Sequence, residues 1–143
     1  MSLLEIDNLS VRYGGRPAVD GVTFSIGVAE SVGLVGESGS GKSQTALAVL
    51  GLLPATAEIT GSIRFRGEEL LGAREAALDA LRATKIAMVF QDPMQAQNPY
   101  VSIGAQLGRI LEHHGIAGGR AARDRVIEML ERVGLPDAAR QAR

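Results

Sequence analysis

Between an apolar run at Ser31 to Val35 (SVGLV) and another at Gln44 to Leu53 (QTALAVLGLL), the chain reads GESGSGKS from Gly36 to Ser43. A loop of the form G-x-x-x-x-G-K-[ST] in that setting leaves few local folds open: a buried strand must turn tightly into the first turn of a helix. Gly36, Gly39 and Gly41 permit backbone conformations and close approaches that a Cβ would block. The N–H groups of such a loop converge at the helix N-terminus, where the dipole also favours negative charge. The pattern therefore implies a nucleoside triphosphate with magnesium. Lys42 is the residue to reach the β- and γ-phosphates, and the Ser43 hydroxyl is the one to ligate Mg²⁺.

Composition supports that reading and excludes others. The chain carries thirteen arginines and only two lysines, Lys42 and Lys85. One of the two stands where a compact ammonium suits a phosphate. The plainer alternative is a Gly/Ser-rich turn between a strand and a helix. A net charge of −1 without a basic stripe gives nucleic-acid binding no support. Zero cysteines exclude disulfides and thiolate metal sites and fit a cytoplasmic setting. No apolar stretch approaches the roughly 20 residues that span a bilayer, and the opening residues do not read as a signal peptide. Any membrane role is expected to run through a partner.

Periodicity divides the rest. Leu3 to Tyr13 and Ala18 to Ile26 read as strands, the second alternating around Val19, Val22, Phe24 and Ile26, with Gly14, Gly15 and Pro17 as the turn. Ile59 to Arg66 predicts another strand, with Gly67 turning after it. Arg74 to Ala83 predicts a short helix with Leu78 and Leu81 inward, and Ile86 to Phe90 (IAMVF) a buried strand. Gln91 to Tyr100 is a polar loop, followed by helices at 102–114 and 119–133. The last places Ala122, Val126, Leu130 and Val133 on one face and stops at Gly134 and Pro136. His113 and His114, Glu68 and Glu69, and Arg120, Arg123 and Arg125 read as solvated positions. The expected fold class is α/β, a β-rich N-terminal layer joined to a phosphate-loop strand and helix.

Four stretches in order carry a family resemblance: Tyr13 before a Gly turn and AVDGVTFSI; GLVGESGSGKSQTALAVLGLLP; GSIRFRGEELL; and IAMVFQDPMQAQNPY. The chain resembles, over essentially its whole length, the first half of the ATP-binding subunit of an ABC importer of the oligopeptide, dipeptide and nickel branch. The resemblance implies a P-loop NTPase of the ABC type, with ATP and Mg²⁺ as ligands. It implies that Tyr13 stacks on adenine, an aromatic face giving purine affinity without specific hydrogen bonds. It implies a phosphate cradle of backbone N–H groups from Ser38, Gly39, Ser40, Gly41, Lys42, Ser43 and Gln44. Gln91 would be the Q-loop glutamine, contacting Mg²⁺ and the surroundings of the attacking water while linking the site to a membrane partner. The implied partners are a second ATP-binding subunit, head to tail, and transmembrane permease subunits at the cytoplasmic face of the plasma membrane. The plainer, less favoured readings of the same residues are a tyrosine closing a hairpin edge and a polar residue ending a strand.

The same comparison sets expectations about extent. The expected layout is a β-rich layer at 1–30 and 59–70, the phosphate-loop strand and helix at 31–54, the Q-loop strand and loop at 86–100, and the start of a helical subdomain at 101–143. The family's signature motif, its aspartate-bearing strand with the catalytic glutamate, and its switch histidine all lie beyond the segment ERVGLPDAARQAR. The 143 residues are thus expected to form an incomplete core sheet and to be inactive alone. Two departures stand out: Ala29–Glu30 where the family usually has Gly-Glu, and Gln95, Ala96 and Gln97 where the branch has Thr-Ser-Leu, which bears on coupling. Two other classes stay open. One is a small complete kinase or GTPase with Asp92 as the Mg²⁺ acid, and the other a truncated non-catalytic nucleotide module.

Overall fold

The computed structural model describes residues 2–92 and 97–142. The chain forms two compact units, Met1–Arg82 and Ala83–Arg143. In the first, β1 (Ser2–Tyr13), β2 (Arg16–Gly27), β3 (Ala57–Phe65) and β4 (Glu68–Glu69) form one antiparallel sheet in the order β2-β1-β3-β4. Gly14 and Gly15, at φ 54° and 78°, join β1 to β2 by a two-residue turn with positive φ at both centres, the hairpin geometry that glycine favours.

The apolar side of this sheet is re-phased partway along β1. Ile6 is buried, but the next buried residues are Leu9 and Val11, so strict alternation would turn these two to solvent. The extra residue is absorbed at Asn8, which takes φ 48° where the pairing with both neighbours shifts. The Asn8 N–H donates to Thr23 Oγ1 at 2.8 Å, and the Gly21 N–H donates to Ser10 Oγ at 2.9 Å. Gly61 faces the bulge; a Cβ there would lie 2.5 Å from the Asn8 carbonyl oxygen. Ile6 and Ile63 then sit opposite each other in the buried layer, with Leu9, Val11 and Val19 beside them.

Helix α1 (Lys42–Val49) follows the glycine-rich loop, and α2 (Glu75–Leu81) follows β4. The apolar run from Gln44 to Leu53 continues up to Pro54. The helix instead ends earlier, at Gly51 (φ 62°), where the Gly51 N–H reaches the Ala48 carbonyl and the Leu52 N–H the Leu47 carbonyl. Leu78 of α2 is buried and Leu81 half-buried.

The second unit holds α3 (Ile103–His113), α4 (Gly119–Arg132) and α5 (Ala138–Gln141). Leu111, Ala122, Val126, Leu130 and Ala138 make its core. Ser102 caps α3 by accepting from the Ala105 N–H at 3.3 Å. Gly115 and Gly134 end α3 and α4 with the bonding pattern seen at Gly51. Val133, expected on the buried face of α4, is 73% exposed. It is the C-cap residue, where the helical period no longer aims the side chain.

Two expected strands differ as well. Residues 31–35 and 86–90 join no sheet among the described residues. Val35 and Val89, placed inside by their apolar neighbours, are 94% and 90% exposed. A run of this kind becomes a strand only when neighbours take its N–H and C=O groups along its length; the pairing seen among the described residues is a single bridge at Ile86, whose carbonyl accepts from the Ala83 N–H at 2.9 Å. Among the described residues no helix is long and apolar enough to cross a membrane.

Candidate functional site

The glycine-rich loop is folded around its own lysine. Lys42 Nζ donates to the Gly36 carbonyl at 2.7 Å, to the Glu37 carbonyl at 2.6 Å and to Ser40 Oγ at 3.1 Å. All three donors of the ammonium are thereby directed to atoms of the loop. The Ser40 N–H closes the turn on the Glu37 carbonyl at 3.2 Å, leaving Ser38 exposed at its tip.

Two glycines make this shape possible in different ways. A Cβ at Gly36 would lie 2.6 Å from Ser40 Oγ, so the hydroxyl folds over a position that only glycine leaves open. Gly41, the N-cap of α1, sits at φ 88° with its would-be Cβ 2.3 Å from the Ala18 carbonyl oxygen and 3.0 Å from Val19 Cγ2. The start of α1 therefore presses directly on β2. Gly39, at φ 84°, has open space around it and is required only by its backbone angle.

The first turn of α1 presents the remaining candidates. Ser43 is exposed at its second position. Thr45, next inward, is 3% exposed, and its hydroxyl donates to the Gly41 carbonyl at 3.0 Å. Gln44 Oε1 accepts from the Tyr13 hydroxyl at 2.7 Å. Tyr13 ends β1, so the hairpin edge and the helix start are tied by one side-chain bond across 31 positions of sequence. The loop pattern points only to the Gln44 backbone; nothing in the sequence marks its side chain as Tyr13's partner.

Gln91 belongs to the second unit and is exposed, as is Asp92. Gln95 and Ala96 lie outside the described residues, and Gln97 is exposed. Among the described residues no group of three or more His, Asp or Glu side chains could hold a metal ion.

Comparisons with known proteins cover nearly the whole chain. Residues 19–143 match the family model described as ABC transporter. A protein of Brucella abortus (strain 2308), provisionally named a peptide import ATP-binding protein, is 48% identical over 145 residues, covering 97% of this chain and 43% of its own. The oligopeptide transport ATP-binding protein OppD of Haemophilus influenzae is 43% identical over 143 residues, covering 97% of this chain and 44% of its own. The chain thus spans less than half the length of the curated relatives it matches. A crystal structure of a nucleotide-free ATP-binding cassette from an ABC transporter superposes with a TM-score of 0.63 at 23% identity, over 99% of this chain and 58% of that one. That likeness shows the fold.

Proposed function

The chain belongs to the ABC transporter family, and from that premise we propose that it is part of an ATP-binding subunit whose ATP hydrolysis drives import of peptides or a related small solute. The observation that carries the reading is the loop itself. A lysine ammonium, three glycines and a helix start are gathered at one exposed edge of the sheet. The small kinase with Asp92 as its acid falls away with the family assignment.

Each residue has a task on this reading. The N–H groups from Ser38 to Gln44 receive phosphate oxygens, with Gly39 and Gly41 supplying the backbone angles. Lys42 exchanges its bonds to the Gly36 and Glu37 carbonyls for the β- and γ-phosphates. Ser43 and Gln91 hold Mg²⁺, which when bound neutralises charge on the phosphates. Tyr13 offers its ring to the adenine. Lys42 and Gln91 are the residues on which turnover depends, Gln91 also relaying the state of the site to a permease.

The proposed partners are a second ATP-binding subunit, facing head to tail, and permease subunits at the cytoplasmic face of the membrane. The proposed layout keeps the expected bounds, with a β layer at 1–30 and 59–70, loop and helix at 31–54, the Q-loop region at 86–100 and helices at 101–143. On this reading the 143 residues alone bind nucleotide weakly and turn it over negligibly. Titration with a fluorescent ATP analogue tests the site. Saturable binding that weakens at least roughly tenfold in Lys42→Ala supports it; equal binding by both proteins would overturn it.

A further inference from the structure

We propose that the Gln44 side chain is a positioning residue for the base, holding the Tyr13 ring at a set place relative to the phosphate loop. The inference rests on the nucleotide reading above and adds a role that the loop pattern does not assign. Its basis is the 2.7 Å bond from the Tyr13 hydroxyl to Gln44 Oε1.

The geometry gives that bond leverage. A tyrosine hydroxyl lies on the long axis of its ring, so a bond there leaves the ring free to flip but fixes where it points. Tyr13 is half-buried at the end of β1, immediately before the Gly14–Gly15 turn, and its backbone by itself would leave the side chain a choice of rotamers. Gln44 stands at the third position of α1, directly after Lys42 and Ser43. Its amide therefore reports the position of the helix turn that faces the phosphates.

Gly41 fixes the other end of the relationship. Its contact with the Ala18 carbonyl and Val19 seats the helix start on β2, the hairpin partner of β1. Two links thus join hairpin and helix: a backbone contact at Gly41 and a side-chain bond at Gln44. The second sets how far a stacked ring stands from the phosphate cradle. Pre-ordering the ring in this way lowers the ordering cost of binding a ligand that must engage both ends at once.

A double-mutant cycle tests this, with ATP and inorganic tripolyphosphate as probes of the 143-residue chain. Tyr13→Phe keeps the stacking face and removes only the donor; Gln44→Ala removes only the acceptor. Each is expected to weaken ATP binding roughly three- to tenfold, the range of one neutral hydrogen bond. The double variant is expected to be no weaker than either single one, and tripolyphosphate affinity is expected to stay unchanged in all three. Unchanged ATP affinity in Tyr13→Phe, additive losses, or equal losses with tripolyphosphate would each overturn the positioning role while leaving the phosphate site standing. Failure of the unsubstituted chain to bind either probe would overturn the nucleotide reading and this role with it.

Discussion

Arg82 closes the C-terminal end of α1 from outside the helix, its Nε donating to the Leu50 carbonyl at 2.9 Å. Its Nη2 reaches the Gly51 carbonyl at 3.2 Å, while Nη1 is held by Glu75 and lies 3.7 Å from Asp79. The last carbonyls of a helix have no partner within it, and a cation there also meets the negative end of the dipole. Arg82 thereby fastens α2 to the end of the helix whose beginning carries the phosphate loop. Arg82→Ala is expected to destabilise the first unit by about 1–2 kcal/mol, read as a lower urea midpoint. Arg82→Lys should recover little of this, because an ammonium lacks the planar fork that serves two carbonyls and a carboxylate together.

Gly39 and Gly41 share a positive φ yet should respond differently to a methyl group. At Gly39 the cost is the backbone angle alone, about 1 kcal/mol, since nothing lies within 4 Å. At Gly41 the same angle is joined by a 2.3 Å approach to the Ala18 carbonyl oxygen. Gly41→Ala is therefore expected to lose about 3 kcal/mol or more and to lift α1 from β2. Parallel denaturation curves of the two variants check the order, and equal losses would contradict the contact.

Ala29 occupies a conformation better suited to glycine, at φ 60° in the turn after β2. The turn is held by Glu30, whose carboxylate accepts from the Gly27 N–H and whose own N–H donates to the Gly27 carbonyl at 3.3 Å. Removing the Cβ relieves the left-handed cost, so Ala29→Gly should stabilise by about 0.5–1 kcal/mol despite the added freedom of the unfolded chain. Thermal melting gives the sign directly. The resemblance placed a glycine at this position, and the backbone angle supplies the physical reason.

Glu69 links stability of the β3–β4 corner to pH. Burial alone would push its carboxyl up, but the Ser62 hydroxyl, the N–H groups of Ile63 and Leu71, and Arg64 together bring it below its ordinary 4.5. A carboxyl lowered in the folded state stabilises fully above its unfolded value and loses that contribution as pH falls through the folded one. The melting-temperature gap between the natural chain and Glu69→Gln should thus be constant near neutrality and close on acidification below about pH 4.5. A gap that persisted unchanged into strong acid would contradict it.

What could be read from residues alone was what residues carry locally. Alternation around Val19, Val22, Phe24 and Ile26 marked β2, and Gly134 marked the end of α4, because each signal is complete within a few positions. The Asn8 bulge was not visible, since it depends on Gly61 and Thr23 lying opposite it. Nor was the Tyr13–Gln44 bond, which only the folded hairpin brings about. Helix α5 is four residues long and opens at Asp137 with φ 52°, too short and irregular for a periodic signal.

The runs at 31–35 and 86–90 give the clearest case of a local signal that needs a distant partner. Their apolar content marks both as buried strands, but burial and pairing must come from neighbours, and among the described residues neither run joins a sheet, the second having a lone bridge at Ile86. Val32, Leu34 and Val35 are 44%, 46% and 94% exposed, immediately before the glycine-rich loop. Unpaired backbone beside apolar side chains is a template for association. The 143-residue chain is therefore expected to self-associate with rising concentration, measured as a growing weight-average mass in sedimentation. Val35→Lys places a charge on the most exposed of the three and should shift that mass back toward the monomer's 15.0 kDa. The loop bonds of Lys42 run to Gly36, Glu37 and Ser40 and not to Val35. Nucleotide affinity per chain should consequently survive the substitution, and a parallel loss of binding would show that the loop draws its shape from this run.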